Sequence, residues 1–377
     1  LTLARFHTQA ATAGPGTNWG TPQTIEKSMA DLLDTLGPLA GTARLAGLRA
    51  WFPQQWAALR PLWAARRAAG RVRECHGDLH LANVVKLGQE IIAFDCIEFD
   101  PALRWIDVLA DIAFFTMDLK AHGQPGLAWR FLDGYLAATG DYAGLPTLRC
   151  YEVYRALVRA LAARLRGAPA PQRPDYLACA QALASAAGFQ PRLLITHGLS
   201  GSGKSTAAAA LLEAAGAVRL RSDVERKRLF GLPALADSHA QGLDIYTPDA
   251  SVRTFAQLRQ GARAALAARY PVIVDAAFLR RQERDDFRAL AQELGVPFAI
   301  LHCHADSAAL RQRVARRQAA GDDPSEASVA VLAGQELHAE PLAPDELPYT
   351  LDLPTNIPWS AQTLAQRWLL TDVKSAP

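Results

Sequence analysis

Two rhythms of hydrophobic and polar positions divide the chain, with the change near residue 190. Before it, apolar residues recur mostly at helical spacing. "LTLARFHTQA" sets Leu3, Phe6 and His7 along one side of an amphipathic helix, and "TIEKSMADLLDTLG" repeats at three and four before a glycine. "GPGTNWGTP" between them is a loop. "NVVKL" and "EIIAF", placed around "GQ", read as two strands of a hairpin. "RWIDVLADIAFFTMDLKAHG" and "YEVYRALVRALAARLRG" return to helix. The proline-rich "APAPQRP" at residues 168–174 breaks the pattern, and one more helix is expected over about 175–188.

Beyond residue 191 the rhythm differs. The apolar runs "RLLIT", "AVRL", "PVIVDAAF", "PFAILHCHA" and "YTLDL" alternate with helical stretches. Five such runs predict a five-stranded parallel sheet covered on both faces, because strands buried on two sides lose the polar alternation of a half-exposed strand. The expected organisation is α/β. A mainly helical first domain with a β-hairpin spans 1–188, and a sheet domain spans 189–377, the boundary lying near 188–191.

Composition refines this picture only slightly. Half the residues are hydrophobic and 20% are charged, which suits a core-forming chain and excludes a disordered one. The net charge of +3 is too small to imply nucleic acid by itself. Cys75, Cys96, Cys150, Cys179 and Cys303 are scattered, without a CxxC pair, which points to a reducing, cytoplasmic compartment. No apolar run approaches the roughly 18 to 20 residues that cross a bilayer. The chain opens without methionine, apparently mid-helix by its pattern, so it is expected to begin inside a longer protein.

The strongest chemical signal is "GLSGSGKST" at 198–206, a full match to the Walker A pattern G-x-x-x-x-G-K-[ST]. It follows a strand and opens an alanine-rich helix, the context the phosphate-binding mechanism needs. Gly198, Gly201 and Gly203 let the backbone around Ser202 turn its N–H groups toward phosphate oxygens at a helix N-terminus. Lys204 adds a cation, the Ser205 hydroxyl suits Mg²⁺, and Thr206 completes the motif. Further on, "RSDVERKRLF" puts Asp223 at the carboxyl end of the second strand, where open α/β sheets hold ligands. Its carboxylate could take a proton from an attacking hydroxyl. Arg226, one turn later, could hold a polar or anionic substrate. Ser222 or Asp223 would serve equally as a helix N-cap with solvated basic neighbours. Asp275 ends the strand in "PVIVDAAF", a position from which a carboxylate can hold Mg²⁺. Arg313, Arg316 and Arg317 lie on a helix before the polar loop "AAGDDPSEA"; they could close over phosphates or simply face water.

Residues 192–352 resemble the small P-loop kinases that include gluconate kinase, polynucleotide kinase and the zeta-toxin kinases. The resemblance implies ATP and Mg²⁺ as cofactors. It also implies Asp223 as base and phosphate-clamping roles among Arg313, Arg316 and Arg317.

The first domain carries its own motif. "HGDLHLAN" separates Asp78 from Asn83 by five residues, as in the kinase loop H-R-D-x-x-x-x-N. Asp78 could accept a hydroxyl proton, Asn83 and Asp95 could hold Mg²⁺, and His76 would brace the loop. This looks like the aminoglycoside phosphotransferase and choline-kinase-like family, in which Asp107 and Asp111 of "IDVLADIAFF" would be structural supports. That family also needs a phosphate-covering loop and a strand lysine upstream, and nothing in residues 1–75 matches either. Lys27, the sole lysine there, falls in a helix. Only the larger lobe is therefore expected here. The combination resembles bacterial two-part proteins with a phosphotransferase-like domain followed by an ATP-binding P-loop domain grouped with AAA-family ATPases.

These resemblances imply an ATP- and Mg²⁺-dependent kinase acting on a small hydroxylated molecule; the short apolar runs and small net charge argue against membrane and nucleic-acid partners. Two alternatives stay open. A polynucleotide 5′-hydroxyl kinase would use stacking aromatics such as Phe230, Tyr246 and Phe255. A nucleotide-gated switch would use ATP to close the second domain while the first binds a partner.

Overall fold

The computed structural model describes residues 2–88, 90–166, 174–185 and 190–370. Gln89 of the expected hairpin turn, most of the proline-rich stretch and the expected boundary at 188–189 lie outside them. The chain divides into two compact units, Leu1–Tyr135 with Ala143–Gly188 and Leu136–Tyr142 with Phe189–Pro377.

The first unit is mainly helical. In chain order come α1 (Thr2–Gln9), α2 (Pro22–Ala40), α3 (Thr42–Ala68), β1 (Val72–Glu74), β2 (Val84–Leu87), β3 (Glu90–Ala93), β4 (Trp105–Asp107), α4 (Val108–Ala121), α5 (Pro125–Thr139), α6 (Leu145–Leu165) and α7 (Tyr176–Ala184). Helix α6 packs against α2, α4 and α7. Its Leu148, Val153 and Leu157 and the α4 residues Leu109, Ile112, Phe114 and Met117 are fully buried. Each such side chain contributes about 1.5–3 kcal/mol relative to exposure. Arg66 and Asp107 form a buried two-pronged ion pair at 2.6 and 2.7 Å.

Three local expectations are adjusted. Helix α2 runs through Gly37 and Pro38 and ends at Gly41, whose N–H reaches back to the Gly37 carbonyl at 3.1 Å. Leu36 and Ala40 are buried, so packing carries the helix past its glycine. On α1 the buried pair is Ala4 and His7, while Phe6 is exposed. The start of "RWIDVLADIAFF" is a strand, because Trp105–Asp107 pairs antiparallel with Val72–Glu74 before the helix begins. Three apolar-rich residues are too few for periodicity to separate strand from helix. The hairpin forms as expected, Val84↔Ala93 to Leu87↔Glu90, but stands out from the core with Leu87, Ile91 and Phe94 exposed.

The second unit is built on a parallel sheet in the order β6-β7-β5-β8-β9. Its elements are β5 (Leu193–His197), α8 (Lys204–Ala215), β6 (Val218–Arg221), α9 (Ser222–Leu229), α10 (Pro248–Ala267), β7 (Val272–Asp275), α11 (Arg281–Glu293), β8 (Phe298–His304), α12 (Ser307–Ala320), α13 (Val329–His338), β9 (Thr350–Pro354) and α14 (Ala361–Leu369). The five strands coincide with the five apolar runs of the sequence. Strand β5 is central and every one of its residues is buried, as a strand covered on both faces requires. Helix α8 packs with α14, α10 packs with α11, and members of both pairs contact the strands. No described helix is long and apolar enough to cross a membrane.

A buried ion pair ties α11 to the segment before β9. Arg284 Nε donates to Glu346 Oε1 at 2.7 Å and its second nitrogen to Oε2 at 3.0 Å. The remaining Arg284 hydrogens go to the carbonyls of Phe278, Glu340 and Pro341. Burial pushes the Glu346 carboxyl up, but the hydrogen bonds from Arg284 and the Ala343 N–H, with the charges of Arg284 and Arg281, hold it below its ordinary value of 4.5. The stabilisation this gives is full above that value and is lost as pH falls through the lower folded value. Glu346→Gln leaves the guanidinium buried without its counter-charge, so urea denaturation is expected to show a loss of about 3–5 kcal/mol at neutral pH. The deficit should shrink on acidification; an unchanged denaturation midpoint would remove the pair from the stability of this unit.

Candidate functional site

The site begins where β5 leaves the sheet. Gly198 has φ +142°, and a Cβ there would strike the Cys303 carbonyl of the neighbouring strand. Gly201 has φ +81°, and a Cβ would stand 2.6 Å from the Leu310 carbonyl. Both positions need glycine for conformation and for space. The turn delivers the chain to Lys204, the first residue of α8, whose first N–H groups have no partner within the helix. Ala207 and Ala208 are fully buried, and their small side chains seat the helix close to the sheet. Arg313 fixes the outer side of the loop. It donates to Thr355 Oγ1 at 2.8 Å and to the Gly201 carbonyl at 3.3 Å, while the Thr355 hydroxyl donates to the Ser202 carbonyl at 2.9 Å.

A cavity of about 480 Å³ opens in front of this loop. Lys204, Ser205 and Asp275 line it together with Asp223 and Arg226, so the structure brings together the five polar residues expected from separate motifs. Ser205 Oγ donates to Asp275 Oδ1 at 3.1 Å. Asp275 Oδ2 is buried and accepts no hydrogen bond, with Arg221 Nε at 3.5 Å and an Arg219 nitrogen at 3.7 Å. Lys204 Nζ donates to the Leu199 carbonyl at 2.7 Å. Burial lowers its ammonium pKa, and Asp275 is the main group opposing that.

Asp223 sits in the first turn of α9 at the end of β6, half-buried. Burial pushes its carboxyl above the ordinary aspartate range, Asp275 and Asp323 add to the rise, and Arg221 and Arg226 oppose it. Arg226 is buried; it donates to the Ile245 carbonyl at 2.9 Å and lies over the Tyr246 ring at 5.0 Å. Its Nε has no hydrogen-bond partner. Glu283 lines the same end of the cavity, and burial raises its carboxyl too.

The three arginines of α12 separate by environment. Arg317 reaches the cavity wall and donates to the Ala327 carbonyl at 2.9 Å. Arg313 is spent on Thr355 and the loop, and Arg316 is exposed. Thr206 is exposed on α8 beside the loop. Of the three aromatics, Tyr246 and Phe255 line the cavity, and Phe230 lies under Arg253. Sequence reasoning missed Thr355 and also Arg221, which lies 3.5 Å from Asp275 and 3.0 Å from Asp323. A signal for Arg221 existed, because the alternation of β6, "VRLR", puts both arginines on one side. Thr355 follows a strand as an isolated loop residue and carried none.

In the first unit, Asn83 Nδ2 donates to Asp78 Oδ2 at 3.1 Å and to the Asp78 carbonyl at 3.0 Å. Burial pushes the Asp78 carboxyl up, but His80, Arg159 and Arg155 hold it below its ordinary value. Asp111 accepts the N–H groups of His76 and Gly77 at 3.1 and 2.9 Å, and His76 Nε2 lies 2.8 Å from the Phe94 carbonyl. These contacts hold the loop in shape. Asp95 is exposed, with φ +60° and its carbonyl 3.5 Å from Asn83 Nδ2. Lys27 is exposed on α2 and pairs with Asp31 at 2.6 Å, far in character from a phosphate ligand.

The donor set of the second unit fits a magnesium nucleotide. Hydroxyl and carboxylate oxygens at Ser205 and Asp275 suit a hard divalent ion, and Asp275 Oδ2, which lacks a hydrogen bond although two arginines stand near it, is an acceptor for a water of its shell. Residues 193–342 match the family model described as an AAA domain, a range that contains the loop, Asp223, Asp275 and the three α12 arginines. Curated relatives include uncharacterized proteins of Mycobacterium tuberculosis (strain H37Rv) and Mycobacterium bovis, each 28% identical over 284 residues, covering 73% of this chain and 56% of theirs. The chain thus spans about half the length of the curated relatives it matches. Similar solved structures include a sugar kinase from Janibacter sp. (22% identity, TM-score 0.36, 48% of this chain and 95% of that one). A gluconokinase from Sinorhizobium meliloti is also similar (23% identity, TM-score 0.34, 48% and 91%).

Proposed function

We propose that the domain over residues 189–377 is an ATP- and Mg²⁺-dependent kinase that transfers the γ-phosphoryl group to a hydroxyl of a small molecule. The observation that carries this reading is the sharing of one cavity by Lys204 and Ser205 with the Asp223 carboxylate. A hydrolytic motor needs no second polar end opposite its phosphate loop. Here Asp223, Arg226, Tyr246 and Glu283 line the cavity together with the phosphate loop, and their polar groups suit a molecule of several hydroxyls.

In this reading the loop amides and Lys204 hold the β and γ phosphates, and Arg226 with Glu283 orients the acceptor. Asp223 takes the hydroxyl proton as the oxygen bonds to phosphorus and the bond to the leaving ADP oxygen breaks. Its raised pKa makes it a stronger base than an exposed aspartate. Ser205 and Asp275 would hold Mg²⁺, which supplies charge neutralisation on the phosphate oxygens. Arg317, which lines the cavity, would face the transferred group.

For residues 1–188 we infer the larger lobe of an aminoglycoside-phosphotransferase-like domain, supported by the Asp78–Asn83 contact and the Asp111 brace.

ATP consumption measured across a panel of sugars, polyols and other hydroxylated metabolites, with a 5′-hydroxyl oligonucleotide in the same panel, tests the reading. At least one small acceptor is expected to accelerate turnover. Lys204→Ala should abolish it, and Asp223→Asn should lower kcat by about 10²–10⁴ with nucleotide affinity nearly unchanged. Full activity in Asp223→Asn would remove that residue from the base role, and acceleration by the oligonucleotide alone would reassign the substrate class. Gly201→Ala is expected to weaken ATP binding by about five- to 150-fold in calorimetry, since backbone strain of about 1–3 kcal/mol falls on the loop itself.

A further inference from the structure

A second cluster of ligand-type side chains lies on the sheet of the same unit, outside the cavity just described. In the strand register His197 of β5 stands beside His302 of β8, and His302 stands beside Asp352 of β9. Laterally paired residues of a parallel sheet share a face, and His304 joins them two residues after His302. Four ligand-type residues therefore crowd one face at the carboxyl ends of three adjacent strands. Cys303, between the two histidines, falls on the opposite face.

The distances are those of a coordination group. One ligand atom each from His302, His304 and Asp352 all lie within 4.8 Å of one another. His304 Nε2 is 3.2 Å from the Asp352 carboxylate, and the rings of His302 and His304 stack at 5.1 Å between centroids. A tetrahedral zinc ion with ligands at about 2.0–2.1 Å sets them about 3.3 Å apart, so small side-chain rotations close the site. His197 Nδ1 lies 2.8 Å from His302 Nδ1. If His302 donates in that contact, its Nε2 keeps a lone pair for a metal, the arrangement by which an outer partner orients a ligating histidine. His197 is 6% exposed, and its own Nε2 is buried without a hydrogen-bond partner. A hydrophobic core has no use for such an atom, and His197 is among the residues that line two cavities of about 430 and 510 Å³.

We propose that His302, His304 and Asp352 form a zinc-class metal site, with His197 orienting His302. Two imidazoles and one carboxylate select a borderline ion such as Zn²⁺ over Mg²⁺, which takes oxygen ligands. The side chains of His304 and Asp352 are 44% and 61% exposed, so the ion enters from solvent and keeps water in its remaining position. Because His197 directly precedes Gly198, the site adjoins the strand end from which the phosphate loop springs.

The test is Zn²⁺ titration of the full chain by calorimetry with Mg²⁺ present throughout, and Co²⁺ titration followed by its visible absorption. One equivalent of Zn²⁺ should bind, and Co²⁺ should develop the bands of a low-coordinate nitrogen and oxygen site. His304→Gln and Asp352→Asn, at exposed positions where folding is not in question, should each weaken binding at least tenfold. Ser205→Ala should leave it unchanged, which separates this site from the magnesium position. Absence of stoichiometric uptake by the unaltered chain would overturn the proposal, as would His304→Gln and Asp352→Asn that bind like it.

Discussion

The second unit depends on one meeting of backbone with backbone: the chain leaving β5 passes so close to the Cys303 carbonyl that no side chain fits at Gly198. That closeness turns a buried strand into a glycine-rich loop within a few residues. It also presets the start of α8, so the partial positive charge of the helix stands at a fixed point beyond the sheet. Everything that faces the cavity is positioned relative to that point. Ser205 reaches Asp275 because β7 is the hydrogen-bonded neighbour of β5, and Asp223 arrives because β6 is the next strand out. The order of strands thus converts three remote sequence positions into one polar wall.

Around that wall the charges are set against each other. Asp223 and Asp275 would repel, and Arg221 stands where it tempers both while also reaching Asp323. The balance leaves two carboxylates with different characters. Asp275 is committed to Ser205 and the arginines, whereas Asp223 is destabilised as an anion and so inclined to receive a proton. A segment from the loop after α12 completes the enclosure, since Asp323 binds Arg221 and Glu326 binds both Lys227 and the Ser238 backbone N–H. Ionic contacts thus help hold this loop, a fastening that salt weakens.

Much of this was readable before any coordinates, for physical reasons that also mark where reading stops. The five strands announced themselves because a doubly covered sheet has to be apolar throughout, and the phosphate loop did because its glycines obey a steric rule. Asp223 and Asp275 are candidates through strand-end position, and Arg226 through lying one helical turn beyond Asp223. The division of labour among Arg313, Arg316 and Arg317 was not legible, because three basic residues on one helix differ only in what stands opposite them. For Arg313 that is Thr355, forty-two residues away in sequence. In the first unit the reading of Asp107 and Asp111 as supports agrees with their buried contacts, yet β4 was hidden because a three-residue strand has no period to display.

The β2–β3 hairpin has a consequence of another kind. Among the described residues it is a two-stranded ribbon whose strands each pair on one edge only, and Leu87 and Ile91 are more than half exposed. An unsatisfied edge bordered by oily side chains is a template onto which a foreign extended segment can add itself as a third strand. In concentrated solution this ribbon is where self-association of the first unit would nucleate, and a lysine in place of Ile91 would be the mildest way to blunt it.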